Sequence, residues 1–483
     1  METIIFILIV AGILAYFWRF PFLGLYLVIF TAPFLGLTID FSLYTWARNL
    51  PLLSGVQAPL SDILALILLT SVILKSLAKV PNRLALSEKK IYWLMIFKET
   101  GFEYFIPFLV IGIFSLFNVE SSQLAASFKY LLRPIAFFYL MWIVLPYAVI
   151  SSKKILQLCL EITLAAGIIS ALLGWFSVFL KNGFDFGQRL IPVGFKGFVP
   201  LTYNHNILAE VLVMVVPLVF YFFIDWQKKG QQQNLDKKTP EEKNILKENR
   251  HRARRAEKFF FLLFVFIVIT ALLTFSRAAW LSLLFQFLAY LIFKSFKKNS
   301  GLEKSFTAPA SLPASLLKTL GKVLLLFSPL LVYLAFFSFS YTVQSSNATR
   351  LDMTEIALTY FKKHPLIGNG VGTFTTLIAD TRLFAVEYGD PLDSHGLIQK
   401  LLAEEGLLGL ISFLIFAIWI ASSLYTSAKY SDESQQDLKK LILISFLGCL
   451  VFQIFNTSYY NQHLWLIAGL GLAVKKIYPP EII

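Results

Sequence analysis

Residues 259–293 read FFFLLFVFIVITALLTFSRAAWLSLLFQFLAYLIF, and Arg277 is the one charged side chain among them. The arms on either side, 259–275 and 278–293, are apolar over most of their length, and a hydrocarbon layer of ~30 Å takes ~20 such residues per crossing. Barrel strands would instead alternate apolar and polar residues over ~10 positions, a pattern absent here. Backbone polar groups inside lipid must bond within their own segment, so both arms are read as membrane helices. The turn between them is so short that the Arg277 guanidinium lies at or just below a membrane surface.

The same pattern recurs on both sides of this hairpin. Apolar runs at about 3–18, 21–38, 60–77, 104–117, 134–150, 155–180, 206–224, 259–275, 278–293, 319–340, 407–428, 439–456 and 463–474 give twelve or thirteen crossings. The runs 104–117 and 463–474 are short enough to be tilted, interfacial or re-entrant. The N-terminus, METIIFILIVAGILAYFWRF, has neither a basic leader nor a small-residue cleavage site and is read as a retained helix. With 57% hydrophobic and 15% charged residues and a mean hydropathy of +0.69, the chain belongs in lipid. The expected fold is all-α: a polytopic membrane protein with about 12 transmembrane helices and a helical outer-face loop module. Three regions follow: N-terminal transmembrane helices over 1–200, a central core over 201–428 and C-terminal transmembrane helices over 429–483.

Charge sets the orientation. The formal net charge is +14, from 43 Lys and Arg against 29 Asp and Glu. These cations cluster between apolar runs, which points to loop topology and excludes a nucleic-acid partner. Residues 225–258 hold eleven Lys and Arg, and 294–318 hold five against the single acid Glu303, so both are placed in the cytoplasm. The same rule puts Lys75 to Lys98, Lys153 with Lys154, and Lys475 with Lys476 inside. It leaves 181–205, the Arg277 turn and 341–405 outside. Residues 231–255, rich in Gln and Lys, are read as a tether that is in part disordered. The segment 341–405 carries five Lys and Arg against eight Asp and Glu and is too long for a connector, so it is read as an outer functional module. Within it a helix is expected from about Arg350 to the His364-Pro365 stop, and another from near His395 toward Gly406.

An ionisable group beside apolar helices is costly and therefore a functional candidate. Arg277, Arg350 and His395 stand out, each with a bland alternative: a guanidinium reaching for the interface, or a surface charge at a helix start. The five histidines lack metal-ligand spacing, and Cys159 and Cys449 sit inside apolar runs, so no metal, disulfide or cofactor is expected. His395 lies among acids, with Asp393 two residues before it and Glu404 and Glu405 beyond, any of which could orient its ring. The GNGVG run at 368–372 lacks the lysine of a phosphate loop and is read as a bare turn. Glu161 and Glu210 are the main acids near apolar runs.

Four stretches, in order, resemble the O-antigen ligase family of membrane glycosyltransferases, which also includes O-antigen polymerases and bacterial protein O-oligosaccharyltransferases. They are YNHNILAEVLVMVVPL at 203–218, FSRAAWLSLL at 275–284, the helix headed by Arg350 and ending HPLIGNGVGTF, and SHGLIQKLLAEEGLLGL at 394–410. The resemblance implies that Arg277 and Arg350 bind the diphosphate of a polyprenyl-diphosphate-linked glycan and that His395 activates the acceptor hydroxyl. It implies metal-independent, inverting transfer to a glycolipid, glycan or protein acceptor, on the outer (periplasmic) face of a bacterial cytoplasmic membrane. Two positions depart from the family pattern: Thr354 where a Trp is common, and Gly396 where an Asn often follows the histidine. The bottom-up chemistry agrees, since two guanidiniums can neutralise a diphosphate bidentately and an imidazole can take the hydroxyl proton. Ligation of a lipid-linked glycan is the first reading. A polymerase or protein transferase of the same fold is the second, and a multispanning polysaccharide transporter, which should show paired broken helices and an internal repeat, is the third.

Overall fold

The computed structural model describes residues 2–48, 55–78, 92–180, 189–194, 199–231, 240–299, 341–379, 381, 393–456 and 461–480. Helix makes up 82% of the structure, and among the described residues the strands are an antiparallel pairing of Thr38–Asp40 with Gln57–Pro59. In chain order the described helices of six or more residues are α1 (Glu2–Arg19), α2 (Pro21–Thr31), α3 (Leu60–Ala78), α4 (Tyr92–Glu99), α5 (Phe102–Ser115) and α6 (Leu124–Val149). Then come α7 (Lys153–Leu180), α8 (His205–Gln231), α9 (Pro240–Leu273), α10 (Arg277–Asn299), α11 (Tyr341–Lys363) and α12 (Phe374–Ala379). Finally α13 spans Leu397–Lys429, α14 Glu433–Phe455 and α15 Gln462–Ile477.

Eight of the described helices are long and apolar enough to cross a membrane, and up to ten if each of two bent pairs counts as one span. The count of about 12 expected from hydropathy differs for identifiable reasons. The runs at 3–18 and 21–38 form the bent pair α1 and α2, which turn by 117° at Phe20, just before Pro21. The run at 104–117 is the second limb of the other pair, bent by 78° from α4 at Gly101. The run at 463–474 lies within α15, 16 residues long and packed inside the bundle from Gln462 to Val474. The run at 319–340 lies outside the described residues. A further difference concerns 231–255: from Pro240 onward the polar segment is one continuous helix into the apolar run, with Glu248 and Arg252 paired at 2.6 Å across a turn.

The core is aromatic and crosses helices distant in sequence. Phe105 of α5 stacks on Tyr139 of α6 at 4.2 Å, and Phe416 of α13 and Trp465 of α15 close around them. Polar pins are placed where a helix is interrupted. Pro217 has no N–H to give, so the Val213 carbonyl of α8 loses its helical donor. Gln286 of α10 supplies the replacement at 2.9 Å, and Ser445 of α14 donates to the Met214 carbonyl at 2.6 Å. Gly448 makes room for that amide, since a Cβ there would lie 2.0 Å from Gln286 Nε2.

Basic residues gather at one end of the bundle. Lys476 donates to the carbonyls of Tyr147 and Ile150, Lys475 lies 3.7 Å from Glu99, Lys153 stands over the Tyr478 ring and Lys228 pairs with Asp437. The other end carries Arg277, which heads α10, and the loop that leads into α13 through His395.

Candidate functional site

Five side chains from five separate segments converge at this second end. Arg277 follows a tight turn in which Phe275 takes φ +53°, and the N–H of Leu190 donates to the Leu273 carbonyl at 3.0 Å, so Arg189 is tied to the same turn. Arg189 Nη1 donates to His205 Nε2 at 3.4 Å at the start of α8. Arg277 Nη1 donates to Asn347 Oδ1 at 2.5 Å, one turn before Arg350 on α11. The charges act on one another: Arg189 on Arg277, Arg277 on Arg350, and Arg189, Arg350 and His395 on His205.

Three guanidiniums held together repel unless an anion joins them. Arg350 feels this most clearly. Burial first, and the Arg277 charge second, hold its pKa below the usual guanidinium range, and its Nε is buried without a hydrogen-bond partner. A guanidinium stays charged throughout the accessible pH range even so. The arrangement is therefore a preformed cationic cradle, suited to a group with more than one negative charge and planar or tetrahedral oxygens.

His395 sits beside this cradle, in the loop before α13. Burial and the Arg350 charge lower its pKa below the ordinary histidine value, against an opposing pull from Asp393. The ring is thus neutral at pH 7 and able to accept a proton. Its Nδ1 is buried with no partner. Asp393 is not hydrogen-bonded to the ring. Its Oδ1 accepts from the Ser394 N–H at 2.8 Å and from Lys400 Nζ at 2.5 Å, so its influence on His395 is electrostatic. Glu404 is likewise committed elsewhere: Lys400 Nζ lies 3.0 Å from its Oε1, and its two oxygens accept the N–H groups of Gly372 at 2.8 Å and Phe374 at 3.0 Å.

The first half of α13 also explains the GNGVG run. Helix α13 breaks at Gly406, whose φ of +69° and ψ of −166° interrupt the hydrogen-bond ladder. The 365–370 loop repairs the break. Asn369 and Gly370 donate to the stranded carbonyls of Ala403 and Glu404, and the N–H groups of Leu407 and Leu408 donate to the carbonyls of Pro365 and Leu366. Contact is so close that a Cβ on Gly368, itself at φ +72°, would lie 2.3 Å from the Glu404 backbone. Far from a bare turn, the run is the splice of a broken helix.

The two departures from the family pattern gain a local meaning. Gln399 Nε2 donates to Thr354 Oγ1, whose hydroxyl in turn donates to the Arg350 carbonyl at 2.7 Å, so the His395 loop is pinned one turn from Arg350. At Gly396 a Cβ would press on the Ile454 carbonyl and on Gln399 Oε1, both at 3.1 Å, leaving little space for a larger side chain. The helix headed by Arg350 in the sequence begins earlier, at Tyr341, and ends at Lys363 as the His364-Pro365 stop requires.

Beneath the cluster, Glu210 of α8 is fully buried and accepts from Asn461 at 2.7 Å and Gln453 at 3.2 Å, with His463 Nδ1 at 3.5 Å. Among the described residues no three His, Cys, Asp or Glu side chains are grouped so as to hold a metal ion. Arg189, His205 and Lys400 are site residues that sequence reasoning missed. The charge rule did place Arg189 and His205 on the same face as Arg277, and Lys400 with Glu404 has the spacing of a helical ion pair. Comparison with curated proteins gives no match. Residues 262–414 match the family model described as O-antigen ligase, a span that holds Arg277, Arg350, Asp393, His395 and the spliced helix. Over that span the chain is similar to the O-antigen ligase family, the same family that its ordered motifs resemble.

Proposed function

We propose that this membrane protein transfers a glycan from a polyprenyl-diphosphate donor to a hydroxyl acceptor at the outer face of the bacterial cytoplasmic membrane. The observation that carries the reading is the convergence of Arg189, Arg277 and Arg350 beside a histidine that burial keeps neutral. In the reaction, the acceptor oxygen bonds to the anomeric carbon as the bond from that carbon to the diphosphate breaks. The hydroxyl proton goes to His395, and the diphosphate leaves as an anion that Arg277 and Arg350, with Arg189, stabilise. Attack opposite the leaving group inverts the anomeric configuration. Asp393 tunes His395 through its charge, and Lys400 and Glu404 hold the loop that carries it.

The test uses purified protein in nanodiscs with an undecaprenyl-diphosphate-linked oligosaccharide. Arg277→Ala and Arg350→Ala should each weaken donor binding and cut release of undecaprenyl diphosphate by about 10²-fold or more, as loss of a donor to developing negative charge does elsewhere. Lys replacements should restore only part, because an ammonium lacks the guanidinium fork. Wild-type release in either alanine variant would overturn the donor assignment.

A further inference from the structure

A further cation, partly exposed and outside the arginine cradle, is carried by α6. Helix α6 is wound as π-helix over Leu131–Phe137 and again over Tyr139–Val144, with Pro134 inside the first stretch. Such winding is rare and mostly found where a side chain is being aimed for function. Arg133 lies on the first stretch. Its Nε donates to Asp62 Oδ2 at 2.6 Å in the first turn of α3; the aspartate side chain is 9% exposed, the arginine side chain 38%.

Asp62 is fixed from behind, with Ser61 Oγ at 3.4 Å, and Gln462 Nε2 donating to that hydroxyl at 3.2 Å. A guanidinium offers five N–H donors, and this one gives a single bond, through Nε. Among the described residues its two terminal nitrogens make no hydrogen bond; the Cζ stands 5.2 Å from the centroid of the Phe138 ring, and the side chain is pinned at its base. An anchored, partly exposed fork of that kind suits a phosphate or carboxylate bound through both terminal nitrogens.

The route to His395 is continuous. One turn before Arg133, the Tyr130 ring packs against Gly372, where a Cβ would lie 2.4 Å from it. The Gly372 N–H donates to Glu404, Lys400 joins Glu404 to Asp393, and His395 follows two residues later. The donor-side arginines reach the same loop differently, through Thr354 and Gln399. Arg133 is thus joined to the loop that carries His395 through Tyr130, Gly372, Glu404, Lys400 and Asp393.

We propose that Arg133, held by Asp62 and flanked by Tyr130, binds an anionic group, phosphate or carboxylate, on the acceptor molecule whose hydroxyl is presented to His395. The proposal rests on the transferase reading above and adds to it the class of acceptor.

The experiment uses protein in phosphatidylcholine nanodiscs saturated with undecaprenyl diphosphate, so that the arginine cradle is filled, and titrates glucose 6-phosphate against glucose. Wild type should bind the phosphorylated sugar roughly 10-fold or more tightly, as charge-assisted hydrogen bonds of ~1.5–3 kcal/mol imply. Arg133→Gln should bring the ratio close to one. Because that change strands the Asp62 carboxylate, the double variant Asp62→Asn with Arg133→Gln replaces the pair by two amides and should show the same loss. Equal affinity of wild type for both sugars, or a preference that survives in either variant, overturns the proposal. So does abolition of the preference in phosphatidylglycerol nanodiscs, which would make a lipid headgroup the occupant. The donor reading fails separately, if undecaprenyl diphosphate does not bind or binds equally well after Arg277→Ala.

Discussion

Replacing Lys400 by methionine keeps the length of the side chain and removes the charge that holds two carboxylates together. Lys400 is 2% exposed and lies 2.5 Å from Asp393 and 3.0 Å from Glu404. Removing one member of a buried ion pair costs about 3–5 kcal/mol, because the partner charge stays buried. Two features bring the figure toward the lower end. Glu404 keeps its two backbone N–H donors, and the Asp393 side chain, 32% exposed, can be rehydrated. A loss of about 3 kcal/mol corresponds to roughly a 10²-fold shift toward the unfolded or loosened form. The assay is equilibrium denaturation followed by tryptophan fluorescence, run beside donor binding and glycan transfer. Donor affinity should persist, since the arginines stand on other elements, whereas transfer should collapse as the His395 loop loses its anchor. The double variant Lys400→Met with Glu404→Gln should recover most of the stability. Stability within about 1 kcal/mol of wild type together with full transfer in Lys400→Met would refute the claim that this network holds the loop.

Gly368→Ala should be among the most damaging single-methyl additions in the chain, because the new Cβ meets the Glu404 backbone at 2.3 Å and φ is +72°; thermal denaturation and transfer should both fall, while Gly12→Ala, with open space around it, leaves both unchanged. The acid limb of the pH–rate profile should lie below pH ~6.5, because the His395 pKa is lowered by burial and by Arg350: the neutral, active ring persists above that lowered value and is lost only as pH falls through it. Measurements of kcat/KM for the donor, which report the free enzyme, would locate the limb, and a midpoint above ~6.5 would speak against His395 as the titrating base. In whole cells, an impermeant thiol reagent should label a cysteine placed at position 380 and not one at 240, as the clustering of cations on 225–258 requires.

The helical membrane character was legible because a bilayer leaves few alternatives: the arms of 259–293 could hardly be anything else. Arg277, Arg350 and His395 were singled out as isolated ionisable groups against apolar surroundings and as members of ordered motifs, and the structure brings them to one end of the bundle. Other features depend on contacts that spacing does not encode. Arg189 meets His205 only because its segment is tied to the Leu273 turn, more than 80 residues later. The GNGVG run resembled a simple turn because its partners are the backbone groups of a helix broken some 35 residues downstream at Gly406. Proximity in sequence suggested Asp393 as the orienting partner of His395, yet Lys400 folds back from the first turn of α13 and takes that carboxylate. Polarity suggested that 231–255 is in part disordered, yet over 240–255 Glu, Lys, Arg and Ala, strong helix formers, extend α9.

The central claim is that a neutral His395 takes the acceptor proton beside a guanidinium cradle that holds the donor. It is tested most directly by measuring donor binding and single-turnover glycan transfer separately in purified His395→Ala. Transfer should fall by ~10²-fold or more with donor affinity nearly unchanged. Wild-type transfer in that variant, or a loss confined to donor affinity, would contradict it.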